Sequence, residues 1–145
     1  MRPTYETDDD LNREQKVLSH LDELWSCENK KLSKYYPADA AVQQNNEIKA
    51  FVEVRVRKNE RLTYPTYLVS VHKLQELAEL ARFTQRPCFL VVQWLDALGY
   101  WPVPQSLEGL ALDIGGSTRR NDKQDIEPCA FIPIQQFTLV KNESL

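Results

Sequence analysis

Two carboxylates, Asp39 and Glu53, stand in segments that are otherwise apolar and typical of buried strands. If the two segments pair, the carboxylates meet, and like charges that face each other need a neighbouring arginine or a divalent metal ion. A hard cation such as Mg²⁺ takes oxygen ligands and binds through one or two carboxylates together with phosphate oxygens. Such an ion activates water and neutralises charge on a reacting phosphate. Arg55, two residues after Glu53, shares its strand face and is placed to contact that phosphate.

The register of the hairpin decides whether the two carboxylates meet. Asn45-Asn46 lies between them, and asparagine tolerates the positive φ that a tight hairpin turn requires. A three-residue loop places Asp39 directly opposite Glu53, with Cβ atoms about 5 Å apart. A two-residue loop puts Glu53 on the opposite face, unless a bulge near Pro37 restores the register.

Each carboxylate also has an ordinary structural interpretation. Asp39 follows Pro37, and aspartate after proline is common in turns. Glu53 has Arg55 and Arg57 on its own strand face, so it could form an ion pair on a half-exposed surface. These interpretations stay open at the level of single residues.

The hydrophobic pattern predicts the elements that position these residues. Apolar residues at three- and four-residue spacing favour two helices, and β-branched or alternating runs favour strands. The predicted order is a helix from Leu11 to about Cys27, strands at 31–36, Ala38–Gln44 and Ile48–Arg57, a helix within 69–83, and a buried strand at Cys88–Trp94.

The C-terminal part of the sequence adds smaller elements. An edge strand is predicted at 100–104, and a long loop is predicted at 107–128. A closing strand is predicted at 130–137, where Pro133 indicates a position at the edge of a sheet, because proline cannot donate to a ladder.

Length and composition indicate one soluble domain. The 145 residues suit a single core, so we expect a mobile arm at residues 1–10 and one domain at 11–145, with its core at roughly 11–95 and additional strands and a loop at 96–145. No apolar run reaches the roughly 20 residues of a membrane span.

Three widely spaced cysteines and the absence of a secretion signal predict a cytoplasmic protein with reduced thiols. A net charge of −3 argues against non-specific coating of nucleic acid, but allows a local basic groove.

The motifs and their context resemble a known superfamily. "PAD" at Pro37–Asp39 and "EVR" at Glu53–Arg55, after one helix and before a helix–strand pair, resemble the PD-(D/E)xK nuclease-like superfamily. The resemblance implies an α/β fold with an αβββαβ restriction-endonuclease-like core, in which helices flank a central mixed sheet. It implies that Asp39 and Glu53 bind Mg²⁺ or Mn²⁺. Glu14 on the first helix and Gln93 on the later strand match supporting residues of some members.

The sequence departs from the superfamily at one position. The usual catalytic lysine falls at position 55, where this chain has Arg55, and arginine stays protonated and cannot act as a general base. Some members take the lysine from elsewhere, and Lys73 near the start of the second helix is the preferred candidate. Lys58 has the wrong parity for the face of Glu53.

The resemblance therefore predicts a metal-dependent nuclease that hydrolyses DNA phosphodiester bonds, structure-selectively or non-specifically, with RNA not excluded. The catalytic residues are expected to be Asp39, Glu53, Arg55 and Lys73. We expect the nucleic acid to be contacted by Arg57, Lys58, Arg61, Arg119 and Arg120. The partners expected are DNA and either a second copy of the chain or a larger protein.

Because Arg55 replaces the lysine, one alternative is an inactive nuclease-fold module that binds nucleic acid or protein. The other is an unrelated α/β interaction domain with surface ion pairs.

Overall fold

The computed structural model describes residues 8–116 and 126–140, which form two helices and nine strands. The bounds in chain order are α1 Asp8–Leu24, β1 Glu28–Lys31, β2 Ala40–Gln44, β3 Glu47–Val56, β4 Thr66–Ser70, α2 Val71–Thr84, β5 Cys88–Gln93, β6 Leu98–Pro102, β7 Ala111–Gly116, β8 Ile126–Pro133 and β9 Thr138–Leu139. Short 3₁₀ turns lie at Arg61–Thr63 and Ile134–Gln136. No helix among the described residues is long and apolar enough to cross a membrane.

The main sheet has six strands in the order β1-β2-β3-β5-β6-β9. β3 and β5 run parallel, and the other neighbouring pairs are antiparallel. This mixed sheet confirms the predicted αβββαβ order, in which β1, β2 and β3 precede α2 and β5. The parallel pair needs a long crossover, and β4 and α2 supply it.

One helix covers each face of the main sheet. On one face, Val17, Leu18 and Leu21 of α1 pack with Val52 and Val54 of β3. On the other face, α2 packs through Leu74 and Leu77 in a cluster that includes Phe51. The alternation along β3 therefore sends Phe51, Glu53 and Arg55 to the side of α2. That Glu53 and Arg55 share one strand face was predicted from their spacing.

The bounds of α1 and β1 differ from the predicted ones. α1 begins at Asp8 rather than Leu11, because the acidic residues before Leu11 form its first turn, where the helix dipole favours negative charge. It ends at Leu24, before Ser26 takes a left-handed φ of 49°. Of the predicted mobile arm, residues 1–7 lie outside the described residues. β1 covers Glu28–Lys31 rather than 31–36, and the chain turns between Ser33 and Tyr36.

The β2–β3 hairpin reaches the predicted register by a different route. Asn45 and Asn46 form a two-residue turn with φ of 54° and 62°, rather than the three-residue loop. A bulge between Val42 and Gln43 then shifts the register, so that Ala40 pairs with Val52. The bulge lies beside the turn and not near Pro37. Continuing this register by one residue places Asp39 beside Glu53.

A second sheet, with the strand order β4-β8-β7, corrects the prediction for the C-terminal part. Part of the predicted loop at 107–128 is strand β7, whose described side chains are exposed and therefore lack the alternation that signals a strand. Residues 117–125 of that loop lie outside the described residues. β8 is the central strand of this sheet rather than an edge strand, and Pro133 is its last residue, paired with Thr66. β6 likewise lies inside the main sheet, because β9 pairs along its outer side.

Candidate active site

Asp39 is fixed to the backbone on both sides of Glu53. Its main-chain N–H donates to the carbonyl of Val52 at 3.0 Å, and its Oδ2 accepts a 2.7 Å hydrogen bond from the N–H of Val54. Its carbonyl accepts from the N–H of Leu32 at 2.8 Å, which ties it to the end of β1. The carboxylate is therefore held at the start of β2, with Oδ1 turned towards a lysine, Lys31, at 3.8 Å.

Glu53 is a buried carboxylate, with 2% of the residue exposed. Its Oε2 lies 2.6 Å from Nη2 of Arg55 and 3.5 Å from Nζ of Lys73. Burial raises the pKa of Glu53 to about 7; Arg55 opposes this rise, Asp39 adds to it and Lys73 opposes it. The two neighbouring cations thus do not cancel the rise in pKa that burial and the like charge of Asp39 cause. Additional positive charge at this position would favour the ionised form of Glu53.

Arg55 reaches back to Glu53 along the same face of β3, and 35% of its side chain is exposed. Burial alone would lower the pKa of its guanidinium, but the charge of Glu53 and weaker contributions from Tyr67, Asp39 and Glu14 raise it. Arg55 therefore stays charged at all ordinary pH values. A guanidinium with remaining N–H groups near solvent suits bidentate contact with a phosphate and excludes a role as general base.

Lys73 lies in the first turn of α2, the helix that packs on the same face of the sheet as Glu53. Ser70 caps this helix, and its Oγ accepts from the N–H of Lys73 at 3.3 Å. The ammonium group donates to the carbonyl of Pro37 at 2.9 Å and also lies beside Glu53. Lys73 thus connects the chain just before Asp39 with the second carboxylate.

Glu14 of α1 reaches the site through Lys31, a residue that the sequence interpretation did not assign to it. Glu14 is buried and forms an ion pair with Lys31, whose Nζ also lies 3.8 Å from Asp39. No signal in the sequence marks Lys31, because only the β1–β2 pairing, in which Lys31 stands opposite Ala40, brings it next to Asp39.

Asp39 and Glu53 fit a hard cation better than a closed structural metal site. Among residues 8–116 and 126–140 there is no group of three or more histidine, cysteine or acidic side chains arranged to hold a metal ion. Mg²⁺, however, commonly uses only one or two carboxylates and completes its shell with water and phosphate oxygens. The raised pKa of Glu53, caused mainly by burial and to a lesser extent by Asp39, means that a bound cation would favour its ionised form.

Gln93 is not placed beside these carboxylates. In the parallel register it stands next to Val56, on the face that α1 covers. Its amide donates to the carbonyls of Trp94 and Ala97 at 2.6 and 3.1 Å and so closes the turn after β5. Its Oε1 is buried and has no partner among the described residues.

The predicted nucleic-acid contacts fall into two groups. Arg57, Lys58 and Arg61 follow the end of β3, where Arg57 donates to the Tyr67 hydroxyl at 2.6 Å and Lys58 is exposed. Arg61 lies in the 3₁₀ turn, with its main-chain N–H bound to Asp96. Arg119 and Arg120 lie outside the described residues.

A mixed sheet covered by one helix on each face, with the hairpin of Asp39 and Glu53 beside the first turn of α2, is the restriction-endonuclease-like fold of the PD-(D/E)xK superfamily. A solved structure with this fold is Archaeoglobus fulgidus Hjc, a Holliday junction resolvase from an archaeal hyperthermophile, which matches with a TM-score of 0.51. The two chains share 17% identity, and the match covers 64% of this chain and 76% of the resolvase. At that identity the match shows the fold alone.

The family follows from the sequence itself. The family model described as "Phage putative PDDEXK endonuclease" matches residues 1–140, and the chain belongs to this family. A search of curated proteins finds no match to the sequence.

Proposed function

We propose that this protein is a nuclease that uses Mg²⁺ or Mn²⁺ to hydrolyse DNA phosphodiester bonds at branched or locally unpaired sites. The observation that carries the proposal is the meeting of Asp39, Glu53, Arg55 and Lys73 at one place on the mixed sheet. Membership in the endonuclease family and the fold shared with a Holliday junction resolvase support it.

Asp39 and Glu53 would hold the metal ion, which supplies an activated water molecule and offsets charge on the phosphate. Asp39 is suited to this role because the N–H of Val54 fixes its Oδ2 by a hydrogen bond. Glu53 is suited to it because its burial keeps out bulk water that would compete for the metal ion. Asp39 approaches from the start of β2 and Glu53 from the middle of β3, so the hairpin sets their separation.

Arg55 and Lys73 have different roles, because a guanidinium and an amine differ in their chemistry. Arg55 remains charged, so it binds and orients the phosphate and stabilises the charge that develops on it. Lys73 can exchange a proton at Nζ, and its hydrogen bond to the carbonyl of Pro37 holds that atom beside Glu53. Lys73 therefore takes the role that the superfamily gives to the lysine missing at position 55.

Cleavage assays with matched variants test the proposal. Linear duplex, single-stranded DNA and a four-way junction are incubated with Mg²⁺, Mn²⁺ or EDTA. We expect the wild type to cut the junction with either metal and not with EDTA. Asp39→Asn and Glu53→Gln should each lower the rate by at least about a hundredfold, whereas Glu79→Gln on the exposed face of α2 should leave it unchanged. Cleavage that survives Asp39→Asn would overturn the assigned site.

The second candidate is a module with this fold that binds DNA without cutting it. The ion pair between Arg55 and Glu53 favours it, since it already gives Glu53 a counter-ion. This candidate predicts junction binding that is equal in EDTA and in Mg²⁺, with no cleavage in either.

A further inference from the structure

A pocket of about 440 Å³ lies beyond the C-terminal end of β3, between the 3₁₀ turn and the second sheet. Residues that line it include Arg57, Arg61, Tyr64, Leu68, Trp94 and Phe131. Its volume is within the range of about 300–1,000 Å³ found for small-molecule pockets. The lining combines flat aromatic rings, aliphatic side chains and two guanidinium groups.

The pocket presents surfaces on which a flat ring can stack. The Tyr64 residue is 60% exposed, although it is aromatic and lies beside the pocket. The guanidinium of Arg57 lies 4.8 Å from the centre of the Tyr67 ring, and its hydrogen bond to the Tyr67 hydroxyl fixes it there. Tyr67 in turn packs edge-to-face against the buried ring of Trp94. The floor is thus rigid, and Tyr64 forms an accessible wall.

The pocket also adjoins the candidate active site, because Arg57 lines it. Arg57 follows Arg55 by two residues, directly after β3 ends, which is roughly 7 Å along an extended chain. The charge of Arg57 and Arg61 complements the phosphates on either side of a nucleotide. A phosphate held by Arg55 would therefore have its neighbouring base at the mouth of the pocket.

We propose that this pocket binds one unpaired nucleobase of the DNA strand whose neighbouring phosphate is held by Arg55. The inference rests on the proposed function, because it takes DNA as the ligand. Aromatic rings and arginine planes stack on any base, so the pocket selects an unpaired base and not a sequence. A base enters such a pocket at least cost where it is already unpaired, at a junction, flap or bubble. The pocket thereby gives the nuclease its preference for DNA structure.

Binding of DNA that contains the fluorescent base 2-aminopurine tests the proposal without cleavage. Junction DNA carrying an unpaired 2-aminopurine, and a fully paired duplex of the same sequence, are titrated with protein in EDTA. We expect Tyr64→Ala to weaken binding of the unpaired substrate about tenfold and to remove the fluorescence quenching that stacking causes. Binding of the paired duplex should change less than twofold.

Two control variants sharpen the test. Tyr64→Phe keeps the ring and should preserve binding and quenching. Phe83→Ala removes an aromatic residue that is 81% exposed on α2, away from this pocket, and should change neither. Thermal unfolding should confirm that each variant is folded, as expected for exposed positions.

The outcomes separate this proposal from the proposed function. Equal weakening of paired and unpaired DNA by Tyr64→Ala, or no weakening of either, would overturn the nucleobase pocket even if the wild type cuts junctions. Selective loss of binding to unpaired DNA would support the pocket even if no metal produces cleavage. Failure of the wild type to bind either DNA in EDTA would overturn the pocket as well.

Discussion

The guanidinium of Arg55 forms an ion pair with Glu53, with Nη2 2.6 Å from Oε2. The position that holds lysine in most PD-(D/E)xK nucleases is thus occupied by a permanent cation that contacts the second carboxylate. Lys73 approaches the same oxygen at 3.5 Å from a different element, α2. The positive charge beside Glu53 is therefore supplied by two residues, and the guanidinium of Arg55 cannot act as a general base.

Lys73→Met should lower the rate of DNA cleavage by at least about a hundredfold, the usual contribution of a positioned acid or base. The fold should persist, with a loss of about 1 kcal/mol because the carbonyl of Pro37 loses its donor. Lys16→Met, at an exposed position on α1, is the matched control and should leave cleavage within twofold. Single-turnover rates on junction DNA measure the effect.

Arg55→Lys tests the exchange of roles between the two positions. In the Lys73→Met background it should restore cleavage at least tenfold, because a lysine then stands beside Glu53 again. Full activity of Lys73→Met alone would show that Lys73 has no part in proton transfer. Loss of activity without restoration in the double variant would show that a lysine at position 55 cannot replace it.

The stability of the protein should depend on pH through Glu53. Its pKa is about 7 in the folded state against an ordinary value of 4.5, so the folded state binds a proton that the unfolded state has lost in this pH window. Stability from this group is therefore full below about pH 4.5 and is lost as the pH rises to about 7. As the pH rises across that window, the free energy of unfolding of the wild type should fall by about 3 kcal/mol relative to that of Glu53→Gln, which carries no titrating group at this position. Urea unfolding at several pH values without metal measures it, and a difference that is independent of pH would contradict the assignment.

Binding of a divalent ion should show the complementary pH dependence. Because the ion needs ionised Glu53, its affinity should rise with pH up to about 7 and then become constant. Calorimetric titration with Mn²⁺ between pH 5.5 and 8.5 measures the affinity and the protons released. In Glu53→Gln this dependence should disappear together with most of the affinity, whereas Glu79→Gln should reproduce the wild-type curve.

Lys31 is predicted to be a positioning residue for Asp39 and Glu14. Lys31→Met should reduce the free energy of unfolding by about 1–2 kcal/mol, because buried Glu14 loses this ion pair. Lys30→Met is the matched control, since Lys30 pairs with Glu28 on an exposed surface, and its cost should stay below about 1 kcal/mol. Mn²⁺ should raise the melting temperature of Lys31→Met more than that of Lys30→Met, because the ion replaces positive charge near Asp39. If the two variants lose equal free energy of unfolding and respond equally to Mn²⁺, Lys31 does not position Asp39 or Glu14.

The sequence predicted those parts of the molecule that depend on local patterns. The alternation along β3 placed Glu53 and Arg55 on one face, and the helical spacing placed Lys73 at the start of α2. The bulge between Val42 and Gln43 was not predictable in position, because a bulge depends on pairing between strands and has no signature in the residues themselves.

The missed elements have a common physical cause. Their formation depends on contacts that are distant in sequence. β7 exposes the side chains described from Ala111 to Ile114, so it lacks the buried periodicity by which strands are detected, and β8 supplies its hydrogen bonds. Lys31 likewise resembled a surface lysine until the β1–β2 pairing brought it beside Asp39.

The central claim is that Asp39 and Glu53 share one divalent ion. Anomalous diffraction from crystals grown with Mn²⁺ tests it most directly, because the signal locates the ion without reference to activity. We expect a single anomalous peak within about 2.0–2.4 Å of a carboxylate oxygen of each residue, with Arg55 and Lys73 still beside Glu53. A peak elsewhere, or no peak together with carboxylates too far apart to share an ion, would contradict the account.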